Sequence, residues 1–290
     1  MKHPLSPAFL RSFERLGRLV GREGLEKLQR AKVAIVGLGG VGSWAAEALV
    51  RSGVGLLWLV DFDCVQESNL NRQLVALAQN VGQLKCQALA QRLSSISPWT
   101  KLQPLTMVYS PATAAQFWAL QPPLVLDCID NITYKCHLLD WAYRHKIAIV
   151  TSTGAGGRWD PTQVRVCDLS HTKVDPMATQ VRKKLRKDYA FPANKSFHIP
   201  AVYSPETPAP PRELELPAPD LEQLETRPGQ PHYEDPDVYE EVERYISGAG
   251  RHAPSCGTAS FVTGAFGLAA AQQIVQLILQ APLGAESYWR

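Results

Sequence analysis

Residues 33–42, Val-Ala-Ile-Val-Gly-Leu-Gly-Gly-Val-Gly, constrain this chain more than any other stretch. Four apolar residues run into Gly37, glycines return at Gly39, Gly40 and Gly42, and a helical pattern starts at Ser43. That order spells a buried strand, a glycine turn and a helix N-terminus. Such a turn lets backbone N–H groups approach a phosphate, and the helix dipole favours the phosphate's negative charge. An apolar run at 55–60 follows helix 43–52 and is a second strand, so the unit closes as a right-handed βαβ with parallel strands. It ends on Asp61-Phe62-Asp63. An acid about 20 residues beyond the glycines is where a ribose hydroxyl is held, which points to Asp61, with Asp63 beside it in the nucleotide set. To this point the pattern describes an NAD-dependent oxidoreductase equally well.

Ser68-Asn69-Leu70-Asn71-Arg72-Gln73 breaks that tie. Val81-Gly82-Gln83-Leu84-Lys85 comes next, a glycine turn opening helix 83–96 with a lysine in its first turn. Hydride transfer needs one face of a nicotinamide, not this many phosphate-directed groups. Arg72 and Lys85 can instead clamp a triphosphate and stabilise charge growing on its α-phosphoryl group. Lys85 alone reads as a solvated helix face; beside Asn69, Asn71, Arg72 and Gln73 it reads as part of an ATP site. A polar edge strand at 101–108 and a short helix at 113–120 follow. Residues 124–131 are another buried strand running into acids, and ligands in an open α/β sheet collect at the carboxyl ends of strands. Asp130 therefore faces the same cleft as Gly40 and Asp61, placed for the Mg2+ that accompanies ATP. Asn131 adjoins it, and Asp127 can equally hold a turn. Helix 133–145 and strand 147–151 complete an ATP-binding half at 31–151.

The set formed by Gly37, Gly39, Gly40 and Gly42, Asp61, Asn69 to Gln73, Lys85 and Asp130-Asn131 resembles the ATP site of the ThiF-type, ubiquitin-activating adenylyltransferases. The resemblance covers most of residues 11–170. It implies an α/β fold, a Rossmann-like and mostly parallel sheet flanked by helices, which activates a carboxylate as an acyl-adenylate with ATP and Mg2+. It also implies a homodimer in which an arginine of one subunit reaches the other's phosphates. Arg15, in Phe13-Glu14-Arg15, sits where that motif would, so the catalytic set is Arg15, Arg72, Lys85 and Asp130. Members that hold zinc use paired Cys-x-x-Cys motifs, and none of the six cysteines (64, 86, 128, 136, 167, 256) forms one. That spacing also argues against a disulfide framework and fits reduced cytosolic thiols. Cys167 and Cys256 lack a context for thioester chemistry and read as small buried residues.

Residues 153–163, Thr-Gly-Ala-Gly-Gly-Arg-Trp-Asp-Pro-Thr-Gln, precede an alternating strand at 164–168. Asp175-Pro176-Met177-Ala178 then opens a helix at 179–187. This run resembles the tRNA threonylcarbamoyladenosine dehydratases, the branch of the superfamily that cyclises a modified adenosine next to the tRNA anticodon. The resemblance implies ATP-dependent cyclisation of that nucleoside. The alternative is adenylation of the C-terminus of a ubiquitin-like sulfur-carrier protein, with a sulfur-transfer partner. Net charge is only +3, so an RNA role needs a local patch. Arg182, Lys183, Lys184, Arg186 and Lys187 put five cations in six residues, with Arg158 and Lys173 upstream, enough to neutralise several phosphates. A solvated helix face is the plain reading of the same charges. Trp159 and Tyr189 can stack on bases or pack in the core.

Three segments remain. Residues 1–10 read as a loose leader without the charged, apolar and small-residue order of a secretion signal, so a cytoplasmic protein is expected. Residues 204–247 alternate prolines with acids and form a long solvated insert. Residues 258–281 make an apolar helix stopped by Pro282, approaching the length of a membrane span. Gly264, Gly267, Gln272, Gln273 and Gln276 favour a packing or dimer helix instead, with peripheral membrane association left open. The expected organisation is one adenylation domain, 11–281, with a substrate and tRNA half at 152–203.

Overall fold

Alternation along the central strands decides the layering. In β1 (Lys32–Val36), Val33 and Ile35 face one apolar core while Ala34 and Val36 face another. In β2 (Leu56–Val60), Leu57 and Leu59 face the first core, and Trp58 and Val60 the second. Strands apolar on both faces must lie between two layers of helices. The computed structural model describes residues 5–214 and 256–281. Most of the Pro/acid-rich insert therefore lies outside the described residues.

The remaining strands are β3 (Lys101–Leu105), β4 (Leu124–Asp127), β5 (Ala148–Ser152), β6 (Arg165–Asp168) and β7 (Pro200–Tyr203). They form one seven-stranded sheet in the order β3-β2-β1-β4-β5-β7-β6. Every pairing is parallel except β6 with β7, so the expected mostly parallel, Rossmann-like sheet is what the chain builds. The polar strand β3 is an edge as its sequence implies, and Pro104 is tolerated there because an edge strand has no second neighbour to serve. Strand order reverses between β1 and β4, which opens a crevice outside their carboxyl ends.

One face of the sheet is covered by α3 (Gly42–Arg51), α4 (Lys85–Ser94) and the C-terminal helix α8 (Ser260–Gln280). The other carries α5 (Ala114–Trp118), α6 (Ile132–Arg144) and α7 (Pro176–Asp188). Helix α7 begins three residues earlier than its basic stretch suggested. Asp175 accepts the Ala178 N–H at 2.7 Å as N-cap, and Pro176 occupies the first helical position, where a missing N–H costs nothing.

The N-terminal segment is not a loose leader from residue 5 onward. Leu5 and Phe9 are buried, and α1 (Pro7–Ser12) is clamped by a Phe9, Phe13 and Trp99 cluster with ring centroids 4.5–5.9 Å apart. Helix α2 (Glu14–Arg30) follows, interrupted at Gly21, where φ is +72°. Arg15 projects into solvent from its first turn.

Helix α8 is long and apolar enough to cross a membrane, yet half of its most apolar window is buried inside the fold. Its glycines explain how it seats. A Cβ at Gly267 would fall 2.6 Å from both the Val41 carbonyl oxygen and the Trp44 Cβ, while Gly264 lies over the Trp44 ring. Gly267→Val is therefore expected to cost about 2–4 kcal/mol, read as a lower melting temperature. Gly257→Ala, with nothing within 4 Å of the added atom, leaves the melt unchanged. An unaltered melting temperature for Gly267→Val would contradict this packing.

Candidate functional site

The glycine turn is dictated by backbone contact. Gly37 has φ of +92°, and a Cβ there would meet the Cys128 carbonyl oxygen at 2.7 Å. At Gly42 the added atom would fall 1.9 Å from the Gly37 carbonyl oxygen. Ser43 Oγ donates to the Gly39 carbonyl at 2.6 Å, pinning the turn as α3 begins. Gly39 and Gly40 line a cavity of about 830 Å3 in the crevice between β1 and β4, within the size range of small-ligand sites.

Two acids follow β2, and they do different jobs. Asp61 is buried; its Oδ2 accepts the Leu38 N–H at 2.6 Å and its Oδ1 the Asp63 N–H at 2.8 Å. Burial pushes its carboxyl above the usual range, against the pull of Lys85 and those two N–H groups. Asp61 thus holds the glycine turn in register with β2. Both acids line the cavity; Asp63 is half-exposed, and its Oδ2 accepts Lys85 Nζ at 2.8 Å. Asp61, expected at the ribose, and Asp63 beside it thus both stand at the cavity wall.

Lys85 is placed by the first turn of α4, and its own N–H donates to the Asp63 carbonyl at 2.8 Å. Burial opposes its charge, but Asp61, Asp63 and Asp130 together outweigh that cost and hold its pKa above the ordinary lysine value. A buried, permanently protonated ammonium facing a nucleotide-sized cavity is suited to a developing phosphate charge.

Arg72 is fixed from both ends. Its Nη1 donates to the Ser68 carbonyl at 2.6 Å and to Asn71 Oδ1 at 3.1 Å, while its own carbonyl accepts Trp44 Nε1 and Thr263 Oγ1, each at 3.2 Å. Partial burial lowers its pKa from the arginine value. Asn69 is buried, and its Oδ1 accepts the Gln66 N–H at 3.1 Å. Asn71 reaches the Thr258 carbonyl at 3.0 Å, tying this segment to the start of α8. Gln73 lines the cavity, and its buried Oε1 has no hydrogen-bond partner among the described residues. Neither Trp44 nor Thr263 gave any local sign of this role in the sequence.

Asp130 lines the cavity at the carboxyl end of β4. Asn131 does not: its Oδ1 accepts the Thr133 and Tyr134 N–H groups at 3.0 and 3.1 Å, the N-cap of α6. Its placement in the nucleotide set is corrected to a helix cap. Asp127 is wholly buried, paired with Lys135 Nζ and accepting Thr151 Oγ1, both at 2.6 Å, and it also accepts the Ile129 N–H at 3.0 Å. It shapes the turn that carries Asp130. Among the described residues, no group of three or more His, Cys, Asp or Glu side chains could hold a metal on its own. Magnesium usually takes only one or two carboxylates plus substrate phosphates, which Asp130 fits.

Arg158 is corrected too. It is 4% exposed, donating to Asp175 Oδ2 at 2.6 Å and to the carbonyls of Gly154 and Gly156. A guanidinium so enclosed cannot meet an external phosphate; it stiffens the turn forming the cavity's far wall and joins it to the N-cap of α7. Lys173, Lys183 and Lys187 stand in solvent. Arg182 leans on Thr172 and Thr179, Lys184 pairs with Asp188 at 2.9 Å, and Arg186 covers the Phe197 ring at 5.3 Å. Arg15 is not among the residues lining the cavity of its own chain.

Burial pushes up the thiols of Cys64 (to about 11), Cys86, Cys128, Cys136 (to about 12) and Cys167. Cys256 is exposed at the cavity rim rather than buried as expected.

Residues 13–289 match the ThiF family. A tRNA threonylcarbamoyladenosine dehydratase of Haemophilus influenzae is 40% identical over 194 residues, 66% of this chain and 74% of that one. The Bacillus subtilis protein of the same name is 44% identical over 179 residues, 62% and 70% of the two chains. The crystal structure of the E. coli enzyme TcdA with ATP superposes with a TM-score of 0.76 at 31% identity, covering 94% of this chain and 96% of that one.

Proposed function

This chain belongs to the ThiF family, and on that premise we propose that it is an ATP-dependent tRNA threonylcarbamoyladenosine dehydratase. The observation that carries the reading is the meeting of Arg72, Lys85 and Asp130 over the glycine turn in one cavity. Structures of the E. coli relative with ATP and with AMP support the same nucleotide chemistry.

ATP lies over Gly39 to Gly42 with its ribose on Asp61 and its phosphates on Arg72 and Lys85. Asp130 would hold the Mg2+ that ATP brings, which would offset the phosphates' charge. Arg15 of a second copy completes the phosphate clamp in a homodimer. The substrate's threonine carboxylate attacks the α-phosphorus and displaces pyrophosphate, giving an acyl-adenylate. An atom of the substrate's own carbamoyl group then attacks the acyl carbon and expels AMP, so the nucleoside loses one water. Because that nucleophile is built into the substrate, effective molarity replaces an enzyme thiol. No single cysteine is then obligatory: each of the six Cys→Ala variants is expected to keep turnover within about threefold, and a dead variant would contradict this mechanism.

Residues 11–281 act as one adenylation domain. Lys173, Lys183 and Lys187 on and beside α7 meet the tRNA backbone, and the site of action is the cytoplasm. Adenylation of a ubiquitin-like sulfur carrier is the competing reading, since the E. coli molybdopterin-synthase adenylyltransferase is 37% identical over 129 residues. Pyrophosphate exchange separates them: exchange that depends on tRNA supports the dehydratase, and exchange that needs a small carrier protein instead selects the rival.

A further inference from the structure

Two exposed aromatic rings flank the cavity and take no part in the chemistry above. Trp159 is 74% exposed and Phe261 46% exposed, with ring centroids 5.2 Å apart at 86°. Trp159 directly follows Arg158, and Phe261 lies between Thr258 and Thr263; those three neighbours all line the cavity. The loop under Trp159 is fixed, because the Trp159 and Asp160 N–H groups donate to the two carboxylate oxygens of Glu206 at 2.9 and 3.0 Å.

A large ring held in water forgoes the burial that would stabilise it, and one edge-to-face contact recovers only part of that. The contact with Phe261 sets the indole's orientation and leaves most of its surface in solvent. Through Arg158 and Asp175 the same loop is joined to the N-cap of the cation-bearing helix α7. An open aromatic surface beside a nucleotide-sized cavity, on a loop joined to the N-cap of a basic helix, suits a splayed nucleobase.

We propose that Trp159, buttressed by Phe261, is a stacking platform for a base of the RNA substrate adjacent to the nucleoside that enters the cavity. This rests on the tRNA reading of the site. A nucleoside must leave its stack to reach an enclosed site, which deprives its neighbour of a stacking partner. The indole replaces that partner, and it does so for any base, since every base has a π face. A second copy of this chain is the competing occupant, and Leu268, 54% exposed and seven residues beyond Phe261 on α8, would extend such a contact.

The test measures tRNA affinity and KM for tRNA with the full chain, W159A and W159F, alongside sedimentation velocity. W159A is expected to weaken tRNA binding and raise KM for tRNA about tenfold, with ATP affinity and oligomeric state unchanged. W159F, which keeps a ring, recovers most of the loss. Unchanged tRNA affinity in W159A overturns the platform. So does a loss of self-association in W159A, which assigns the rings to an interface between copies. If the unaltered chain binds tRNA without converting it, the dehydratase reading fails while the affinity comparison still decides the platform. If it binds no tRNA, both fall.

Discussion

Lys85→Met is expected to lower the rate of adenylation by about 10²–10³-fold, the usual consequence of removing one preorganised charge from a developing anion. The chain should stay folded. The lysine's partner, Asp63, is half-exposed and can turn to water, and methionine fills much of the space the alkyl stem leaves. ATP affinity should fall less than turnover, because the ammonium is aimed at charge that grows in the transition state. Pyrophosphate exchange at saturating ATP reads this directly, and near-normal exchange would remove Lys85 from the mechanism. The pH dependence follows from the same pair. The folded-state pKa of Lys85 lies above its ordinary value of 10.5, so the favourable interaction is fully present below that value and is lost only as pH rises through the folded pKa. No alkaline fall in rate due to Lys85 is expected between neutrality and pH 10.5.

Gly42→Ala is the second large effect, and its cause is steric. The new Cβ would sit 1.9 Å from the Gly37 carbonyl oxygen, a backbone atom locked between β1 and the turn after β4. Neither side can yield without breaking the turn, so a cost above about 3 kcal/mol and loss of ATP binding are expected. Gly39→Ala makes the informative contrast. Its added atom meets only Gln73 Nε2, at 3.7 Å, so the fold should tolerate it. The methyl would still thicken the floor on which phosphate rests. Unchanged melting with weaker ATP binding for Gly39→Ala, against a collapsed melt for Gly42→Ala, would separate the two duties of the glycine stretch. Wild-type ATP affinity in Gly42→Ala would refute this account of the turn.

What the sequence disclosed was the chemistry that works at short range. A strand, a glycine turn and a helix start are consecutive in the chain, so their geometry is legible from spacing. Lys85 and Arg72 are legible because amides and cations crowd one short stretch, and Asp130 because it follows a buried strand. Misreadings arose where burial, not type, decides the role. Asp61 and Asp63 are two residues apart and chemically identical; only the approach of the Leu38 N–H reveals that Asp61 also braces the glycine turn. Arg158 looks like any exposed cation until Asp175, 17 residues on, is folded against it. Asn131 carried an N-cap signal, a short amide just before a helical run, that its neighbour Asp130 overshadowed. Thr263 lies 191 residues from Arg72, and no local pattern could have joined them.

The central claim is that adenylation here ends in loss of water from a modified nucleoside of tRNA. Incubating the protein with ATP and tRNA that carries threonylcarbamoyladenosine, then digesting to nucleosides, tests it by mass spectrometry. The account predicts a nucleoside lighter by one water, formed with one AMP and one pyrophosphate per turnover and absent when ATP is omitted. An unchanged nucleoside despite ATP cleavage to AMP would contradict the dehydratase assignment while leaving the adenylation site standing.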